Sequence, residues 1–232
     1  MLPSKPFYLI RHAESQANAA GVAAGGDLDS PLTKRGHEQA RCLSPYMTQT
    51  DPLPVRLYHS PMTRVMQTSK GITKNLDIEF CEIEDLREHR LGEWNGIDWE
   101  IILPKLEAKE PPPGGEEETF FVRRVRNAIT DILEQCKDGT PLIVAHGGVF
   151  HALGFMYEYA ITPIQNCHLH YFEPDLSHEP FPWKVWQYDI TNNGVLRKSA
   201  PFCPTSGHDF IDRKESFDQI LHANRNRNKK TG

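Results

Sequence analysis

An arginine and a histidine stand together at the end of a short apolar run, Phe7-Tyr8-Leu9-Ile10-Arg11-His12, and Ala13-Glu14-Ser15 follows as a polar turn. A guanidinium presents a rigid fork of donors matched to phosphate oxygens, and an imidazole can attack phosphorus and carry the phosphoryl group covalently. Strand ends are where open α/β sheets bind ligands, so the pair points to phosphoryl transfer through a phosphohistidine. Standing alone, the hexapeptide is equally an ordinary Arg-His pair at a strand terminus.

Three further segments bear on the choice. Pro141-Leu142-Ile143-Val144 leads into Ala145-His146-Gly147-Gly148, a second apolar run ending in a histidine. Its glycines allow close backbone approach and open a helix whose first N–H groups favour an anion, which makes Gly147 a candidate phosphate contact. Val55-Arg56-Leu57-Tyr58 leads to Ser60-Pro61-Met62-Thr63-Arg64, where Pro61 suits a first helical turn and Arg64 can point back at the strand end. Leu86 to Gly96 reads as a loop with an acid, Glu88, flanked by the bases Arg87 and His89. Four strand-end segments thus converge on one chemistry.

At this point the chain resembles the histidine phosphatase superfamily, also called the phosphoglycerate mutase-like family. The resemblance is carried by Arg11-His12-Ala13-Glu14-Ser15, by Asp29-Ser30-Pro31-Leu32-Thr33 with Gly36 and Gln39-Ala40, and by Ser60-Pro61-Met62-Thr63-Arg64 with Gln67-Thr68. The Glu88 to Gly96 loop, Gly114-Gly115-Glu116 with Phe121 and Arg124-Val125, and His146-Gly147 complete an ordered set. The resemblance implies that His12 is the phosphorylated nucleophile, that Arg11, Arg64 and His146 hold the phosphoryl oxygens, and that Glu88 is the proton donor. Ser15 and Asn18, in the turn after the nucleophile, match positions the family uses less uniformly on phosphate oxygens.

The chemistry of these side chains fits those roles. His12 must be neutral at one nitrogen to attack, and cationic neighbours lower a histidine's pKa. Arg11, Arg64 and a protonated His146 would surround the equatorial oxygens, where charge spreads in the transition state, with no metal or other cofactor required. Glu88 would protonate the leaving alkoxide and then deprotonate the attacking water. Each residue also has a plain reading: His12 and His146 as satisfied core histidines, Arg64 as a solvated arginine, Glu88 as part of a surface ion pair worth under about 1 kcal/mol. Their joint occurrence favours the catalytic reading. His168 and His170 share one face of a strand, which reads as a polar strand face ahead of a metal pair. His59, His89 and His151 lie near the candidate site in sequence and are not assigned to it.

Strand-like runs near 7–10, 55–59, 79–83, 141–145, 168–173 and 183–190 alternate in the first two thirds with helical patterns. Thr33 caps one through Met47, Pro61 begins another through Lys74, Glu116 to Cys136 is the longest, and Val149 to Tyr159 follows the second histidine. This alternation predicts a three-layer α/β/α sandwich with a mainly parallel central sheet and an antiparallel edge. The expected division is an α/β domain over 1–195 and a C-terminal extension over 196–232, with a helix at Asp212 to Ala223 and a basic, disordered end. The Pro-Gly stretch Glu110 to Gly115 cannot be helix or central strand; it reads either as a plain linker or, as the resemblance implies, as a segment over the pocket.

Composition bounds the remaining classes. The 232 residues, 38% hydrophobic, suffice for one good core, and the formal charge of -5 offers no broad basic surface for nucleic acid. No apolar run approaches the 18 or so residues a membrane span needs, and the N-terminus enters its first strand too soon for a signal peptide. Five cysteines without a C-x-x-C pair read as reduced thiols of a cytoplasmic protein. The expected partner is a small phosphorylated molecule or a phosphoprotein. Three functions stay open: a phosphomonoester hydrolase, a phosphoglycerate mutase-type phosphotransferase using the same residues, and a catalytically silent binding protein of the same fold. Retention of the core positions argues against the last. Family mutases carry a longer insert after the glutamate loop and usually Gly-Asn after the second histidine, where this chain has Gly147-Gly148, so the resemblance favours the hydrolase.

Overall fold

Strands β1 (Phe7–Arg11) and β4 (Thr140–Ala145) are apolar on both faces, a pattern that suits strands covered on both sides. In the computed structural model, which describes residues 1–160, 164–177, 180–191, 194–199 and 203–204, both are central strands. Alternate side chains enter opposite cores. Phe7, Leu9, Ile143 and Ala145 join one cluster, and Tyr8, Ile10, Leu142 and Val144 join the other. Burying each large apolar side chain contributes roughly 1.5–3 kcal/mol.

The first core is closed by helices α5 (Glu118–Gln135) and α6 (Gly147–Tyr157), the second by α2 (Lys34–Met47) and α3 (Thr63–Ile72), which makes three layers. Helix α2 buries Gly36, Ala40, Leu43, Ser44 and Met47, one stripe at helical spacing. Its N-cap is Thr33, as expected, whose hydroxyl accepts from the Gly36 N–H at 2.9 Å. Helix α3 starts later than the Pro61 signal predicts. Its N-cap, Met62, has no capping side chain, and Asp29 reaches over instead to accept from the Thr63 N–H at 3.0 Å.

With β2 (Pro54–His59), β3 (Glu79–Glu82), β6 (Leu169–Pro174), β7 (Trp183–Thr191) and β8 (Gly194–Ser199), the seven-stranded sheet has the spatial order β3-β2-β4-β1-β6-β7-β8. The first four are parallel and the remainder antiparallel. The antiparallel part is wider than expected, because β6 already runs against β1 and β8 adds a further strand. Strand β8 runs across residue 195, where a boundary was expected. The helix expected at Asp212 to Ala223 and the basic end lie outside the described residues. A minor sheet pairs β5 (Tyr159–Ala160) with β9 (Cys203–Pro204).

Two helices carried no clear signal: α1 (Gln16–Ala20), a single turn after the nucleophile segment, and α4 (Trp99–Glu107). Helix α4 belongs to a small cap with its own core of Ala23, Leu91, Trp94 and Ile102. The Pro-Gly stretch after it is no free linker. The Pro113 carbonyl accepts from the Glu93 N–H at 2.9 Å, the Arg90 carbonyl accepts from the Glu116 N–H at 2.9 Å, and a side chain at Gly115 would strike the Arg90 carbonyl. The segment is strapped onto the loop that carries Glu88.

Gly36 shows how tightly α2 seats against the turn after His12, since a β-carbon there would collide with the Glu14 carbonyl oxygen. Replacing it with alanine gains up to about 1 kcal/mol of helix propensity but incurs about 1–3 kcal/mol of overpacking. Gly36→Ala is therefore expected to lower unfolding free energy by about 1 kcal/mol, read as a reduced urea midpoint at unchanged slope; an unchanged or raised midpoint would contradict the close contact.

Candidate active site

Register brings the two histidines together. Arg11 on β1 lies opposite Ala145 on β4, so His12 and His146 leave adjacent parallel strand ends side by side. Their ring centroids are 5.3 Å apart. The His12 N–H donates to the Ala145 carbonyl at 2.9 Å, which extends the ladder by one bond and holds the imidazole's backbone. On the other flank of β4, His59 pairs with Val144 and the Ser60 N–H donates to the Val144 carbonyl at 3.2 Å. Three neighbouring strand ends thus deliver His12, His146 and Ser60 to one place.

The His12 ring is oriented by its own chain. Nδ1 lies 2.8 Å from the Ala13 carbonyl, which can only accept, so Nδ1 carries the proton and Nε2 holds the lone pair. Arg64 Nε donates to that lone pair at 3.3 Å. Burial pushes the His12 pKa well below 6.5, and Arg64 and then Arg11 push it further the same way.

Arg64 is only 2% exposed, although it carries a full charge. Nη2 donates to the Gly25 carbonyl at 2.8 Å and Nη1 to the Leu28 carbonyl at 3.3 Å, while Asp29 stands 4.0 Å away. Of the five N–H groups of a guanidinium, these two bonds and the one to His12 leave two for an anion. Arg11 donates through Nη1 to the Ile164 carbonyl at 2.6 Å, and its buried Nε has no partner among the described residues. Gly147 matters here because a β-carbon would stand 3.4 Å from that Nε.

His146 differs from the sequence expectation. Nε2 lies 2.8 Å from the Ser60 hydroxyl, which is fully buried and also accepts weakly from the Met62 N–H at 3.5 Å. A hydroxyl can donate to Nε2 or accept from it, so this bond serves either tautomer, and Nδ1 has no partner among the described residues. Burial first, then Arg64 and His12, hold its pKa well below 6.5. Without an anion bound, burial and then the nearby cationic groups favour a neutral His146, whereas the protonated ring was expected around a bound phosphoryl group. A dianionic group between them would reverse that balance.

Glu88 is gripped at both oxygens. Oε1 accepts from the His89 N–H at 2.9 Å and Oε2 from the Gly148 N–H at 3.1 Å, so the start of α6 holds the carboxylate. A side chain at position 148 would overlap Glu88 Oε1. The loop under Glu88 hangs on Arg124, which donates to the carbonyls of Asp85, Arg87 and Glu88 at 2.9, 2.7 and 2.8 Å and pairs with Glu116. Burial would raise the Glu116 pKa, but Arg124, the Arg90 N–H and His89 together hold it below its usual value. No role for Arg124, Glu116 or Ser60 followed from the residues themselves. An arginine on the buried side of α5 beside Phe121 is the signal that could have found the first.

Ser15 and Asn18 are placed differently. The Ser15 hydroxyl accepts from the Asn18 N–H at 3.3 Å and the Asn18 side-chain oxygen accepts from the Ser15 N–H at 3.2 Å, a reciprocal cap on α1. Asn166, unforeseen, donates to the His12 carbonyl at 2.9 Å and to the same Asn18 oxygen at 3.1 Å. The Asn18 amide nitrogen and the Ser15 hydroxyl proton remain as donors. His170 is buried on β6 with its ring 5.1 Å from that of Phe150, and among the described residues no cluster of three or more candidate metal ligands occurs.

Two guanidiniums, two neutral imidazoles and one carboxylate at the carboxyl ends of parallel strands define a phosphoryl-binding α/β protein. The chain belongs to the histidine phosphatase superfamily, branch 1, whose family model matches residues 7–173. A relative from Hydrogenobacter thermophilus, named provisionally as phosphoserine phosphatase 2, is 33% identical over 64% of this chain and 76% of its own length. The metal-independent phosphoserine phosphatase of Arabidopsis thaliana is 29% identical over 62% of this chain and 65% of its own length. In fold, the chain is similar to the mycobacterial glucosyl-3-phosphoglycerate phosphatase in complex with VO3, with a TM-score of 0.62 and 20% identity over 78% of this chain and 96% of that one.

The two depressed histidines set a pH dependence. Between the low folded pKa and 6.5 the unfolded chain binds more protons, so acidification favours unfolding. Each histidine is expected to contribute a slope of up to about 1.4 kcal/mol per pH unit below about pH 6.5. In urea titrations from neutral pH downward, His146→Gln should show a shallower loss of stability than the unsubstituted protein; equal slopes would contradict the depressed pKa.

Proposed function

We propose that this chain hydrolyses phosphomonoesters in two steps through a phosphohistidine on His12. The observation that carries the proposal is the His12 tautomer: its proton is tied to the Ala13 carbonyl and its Nε2 lone pair is directed to the cationic side of the site.

In the first step Nε2 attacks phosphorus in line with the ester oxygen. A P–N bond forms, the P–O bond to the alcohol breaks, and Glu88, carrying a proton, delivers it to the departing oxygen. Arg11 and Arg64 supply their free N–H groups to the equatorial oxygens, and His146, with Ser60 donating to its Nε2, supplies Nδ1–H. The Gly147 N–H adds a helix N-terminal donor beside them. Two arginine charges, with Glu88 in the protonated form that donates, leave the site positive, which favours a dianion. In the second step Glu88 takes a proton from water as the water oxygen bonds to phosphorus, the P–N bond breaks, and inorganic phosphate leaves a neutral His12. Asn18 adds its amide N–H and Ser15 its hydroxyl proton, each held in place by the cap on α1.

Mutase chemistry would use the same phosphohistidine but hand the group to a second hydroxyl. Hydrolysis is favoured by the phosphatase names of the relatives at 33% and 29% identity. The substrate class is a small phosphorylated molecule. The cytoplasm is the favoured compartment, since Cys42, Cys81, Cys136 and Cys167 are free thiols. No helix among the described residues is long and apolar enough to cross a membrane.

His12→Ala is expected to reduce p-nitrophenyl phosphate turnover by roughly 10⁴-fold or more, and wild-type turnover by that variant would reject the nucleophile. Glu88→Gln should slow alkyl phosphates by roughly 10²- to 10⁴-fold but spare the first step with p-nitrophenyl phosphate, whose leaving group needs no proton. Acid-labile phosphoenzyme should then accumulate on rapid quenching. Chelators should leave turnover intact and vanadate should inhibit; loss of activity with a chelator would point to metal-dependent chemistry instead.

A further inference from the structure

We infer that Asn166 is a positioning residue for phosphoryl binding: it fixes the Asn18 amide so that the nitrogen, and not the oxygen, is left to meet an anion beside His12. This rests on the phosphomonoesterase reading above, which supplies the anion.

The placement of Asn166 follows from the sheet. Strand β6 runs against β1 with Leu169 opposite Ile10, so the residues just before β6 fall beside Arg11 and His12. The Cys167 N–H donates to the Arg11 carbonyl at 2.9 Å and, more weakly, to the His12 carbonyl at 3.3 Å, while the Ile164 carbonyl accepts from Arg11 Nη1 at 2.6 Å. The chain turns at Cys167, whose φ of 61° lies in the left-handed region, uncommon for a residue with a β-carbon and kept only where the surroundings hold it. Asn166 carries its side chain back over the nucleophile segment, with Nδ2 2.9 Å from the His12 carbonyl and 3.1 Å from Asn18 Oδ1. A single nitrogen thus bridges the two, which sets the Asn18 amide next to the nucleophile.

Donor and acceptor rules leave one arrangement. The Ser15 N–H can only donate, and it lies 3.2 Å from one branch of the Asn18 amide, so that branch is the oxygen. The branch of Asn166 that faces both this oxygen and the His12 carbonyl must then be its NH2, whose two hydrogens match the two acceptors. Turning the Asn18 amide over would set its NH2 against the Ser15 N–H and the Asn166 NH2, two pairs of donors with no bond between them. With its oxygen claimed twice, Asn18 is left with its nitrogen as the free branch, a donor suited to a phosphoryl oxygen. The His12 carbonyl keeps the Cys167 N–H when Asn166 is removed, so Asn166 acts on the anion through Asn18.

The test is a double-mutant cycle read in anion affinity. Inhibition by vanadate and by inorganic phosphate, with kcat/KM for p-nitrophenyl phosphate, is compared in wild type, Asn166→Ala, Asn166→Asp, Asn18→Ala and the double alanine variant. Asn166→Ala and Asn18→Ala should each weaken vanadate about tenfold, the size of one hydrogen bond to a charged group. The double variant should match Asn18→Ala within about twofold, because the two residues act as one unit. Asn166→Asp, nearly isosteric, replaces the donor by a charged acceptor, favours a turned-over Asn18 amide and should weaken vanadate more than Asn166→Ala does. Losses that multiply in the double variant, as separate structural damage at each position would give, overturn the inference. So does wild-type vanadate affinity in Asn166→Ala, or in Asn166→Asp should the alanine variant fail to fold; wild-type turnover of the aryl ester then leaves the phosphatase reading standing. A wild-type protein without that turnover rejects the phosphatase reading and the inference with it.

Discussion

The site depends on keeping one buried imidazole neutral and fixed in a single tautomer. His12 Nδ1 is spent on the carbonyl of the next residue, so Nε2 is the only nitrogen with a lone pair to offer. Burial penalises the imidazolium, and the adjacent guanidiniums penalise it again. The same cations that would gather phosphoryl oxygens therefore also keep the Nε2 lone pair available. A neutral residue in place of Arg64 would weaken both effects at once.

Neutrality of His146 follows from the same crowding of charge. Its partner is Ser60, a hydroxyl that can adjust its proton, where a carboxylate would have stabilised the imidazolium. With Ser60 donating to Nε2 the neutral ring presents Nδ1–H, so it can donate without a counter-ion in place. A dianion bound there would supply that counter-ion. Glu88 lies across from this group and is held by two backbone N–H groups, a support that needs no second charged side chain. The Arg124–Glu116 pair bears the loop beneath it, and the strapped Pro-Gly segment ties that loop to the cap.

Much of this was legible in the chain. The apolar runs at 7–10 and 141–145 have both faces hydrophobic, and that composition suits a central strand alone. Thr33 before a helical stripe announced α2 at its N-cap. Helix α3 was misplaced by two residues because its cap, Asp29, comes from a distant loop that no local rule registers. Ser15 and Asn18 match phosphate ligands by position, and their side-chain oxygens also accept from each other's backbone N–H across one turn of α1. A polar residue's local hydrogen bonds compete with its functional ones, and only coordinates show which prevails.

Residue types and local order determined what chemistry was available: a nucleophilic imidazole, two guanidiniums, a second histidine at a strand end and a carboxylate between bases. These are covalent properties of side chains and of apolar periodicity, and they need no neighbour in space to be read. Tertiary structure alone decided the protonation states, the tautomers and the supports. Those depend on dielectric surroundings and on hydrogen-bond partners dozens of residues away, such as Ser60 for His146 and Asn166 for the His12 carbonyl. Electrostatic energy varies with burial and distance, and neither is a property of sequence separation.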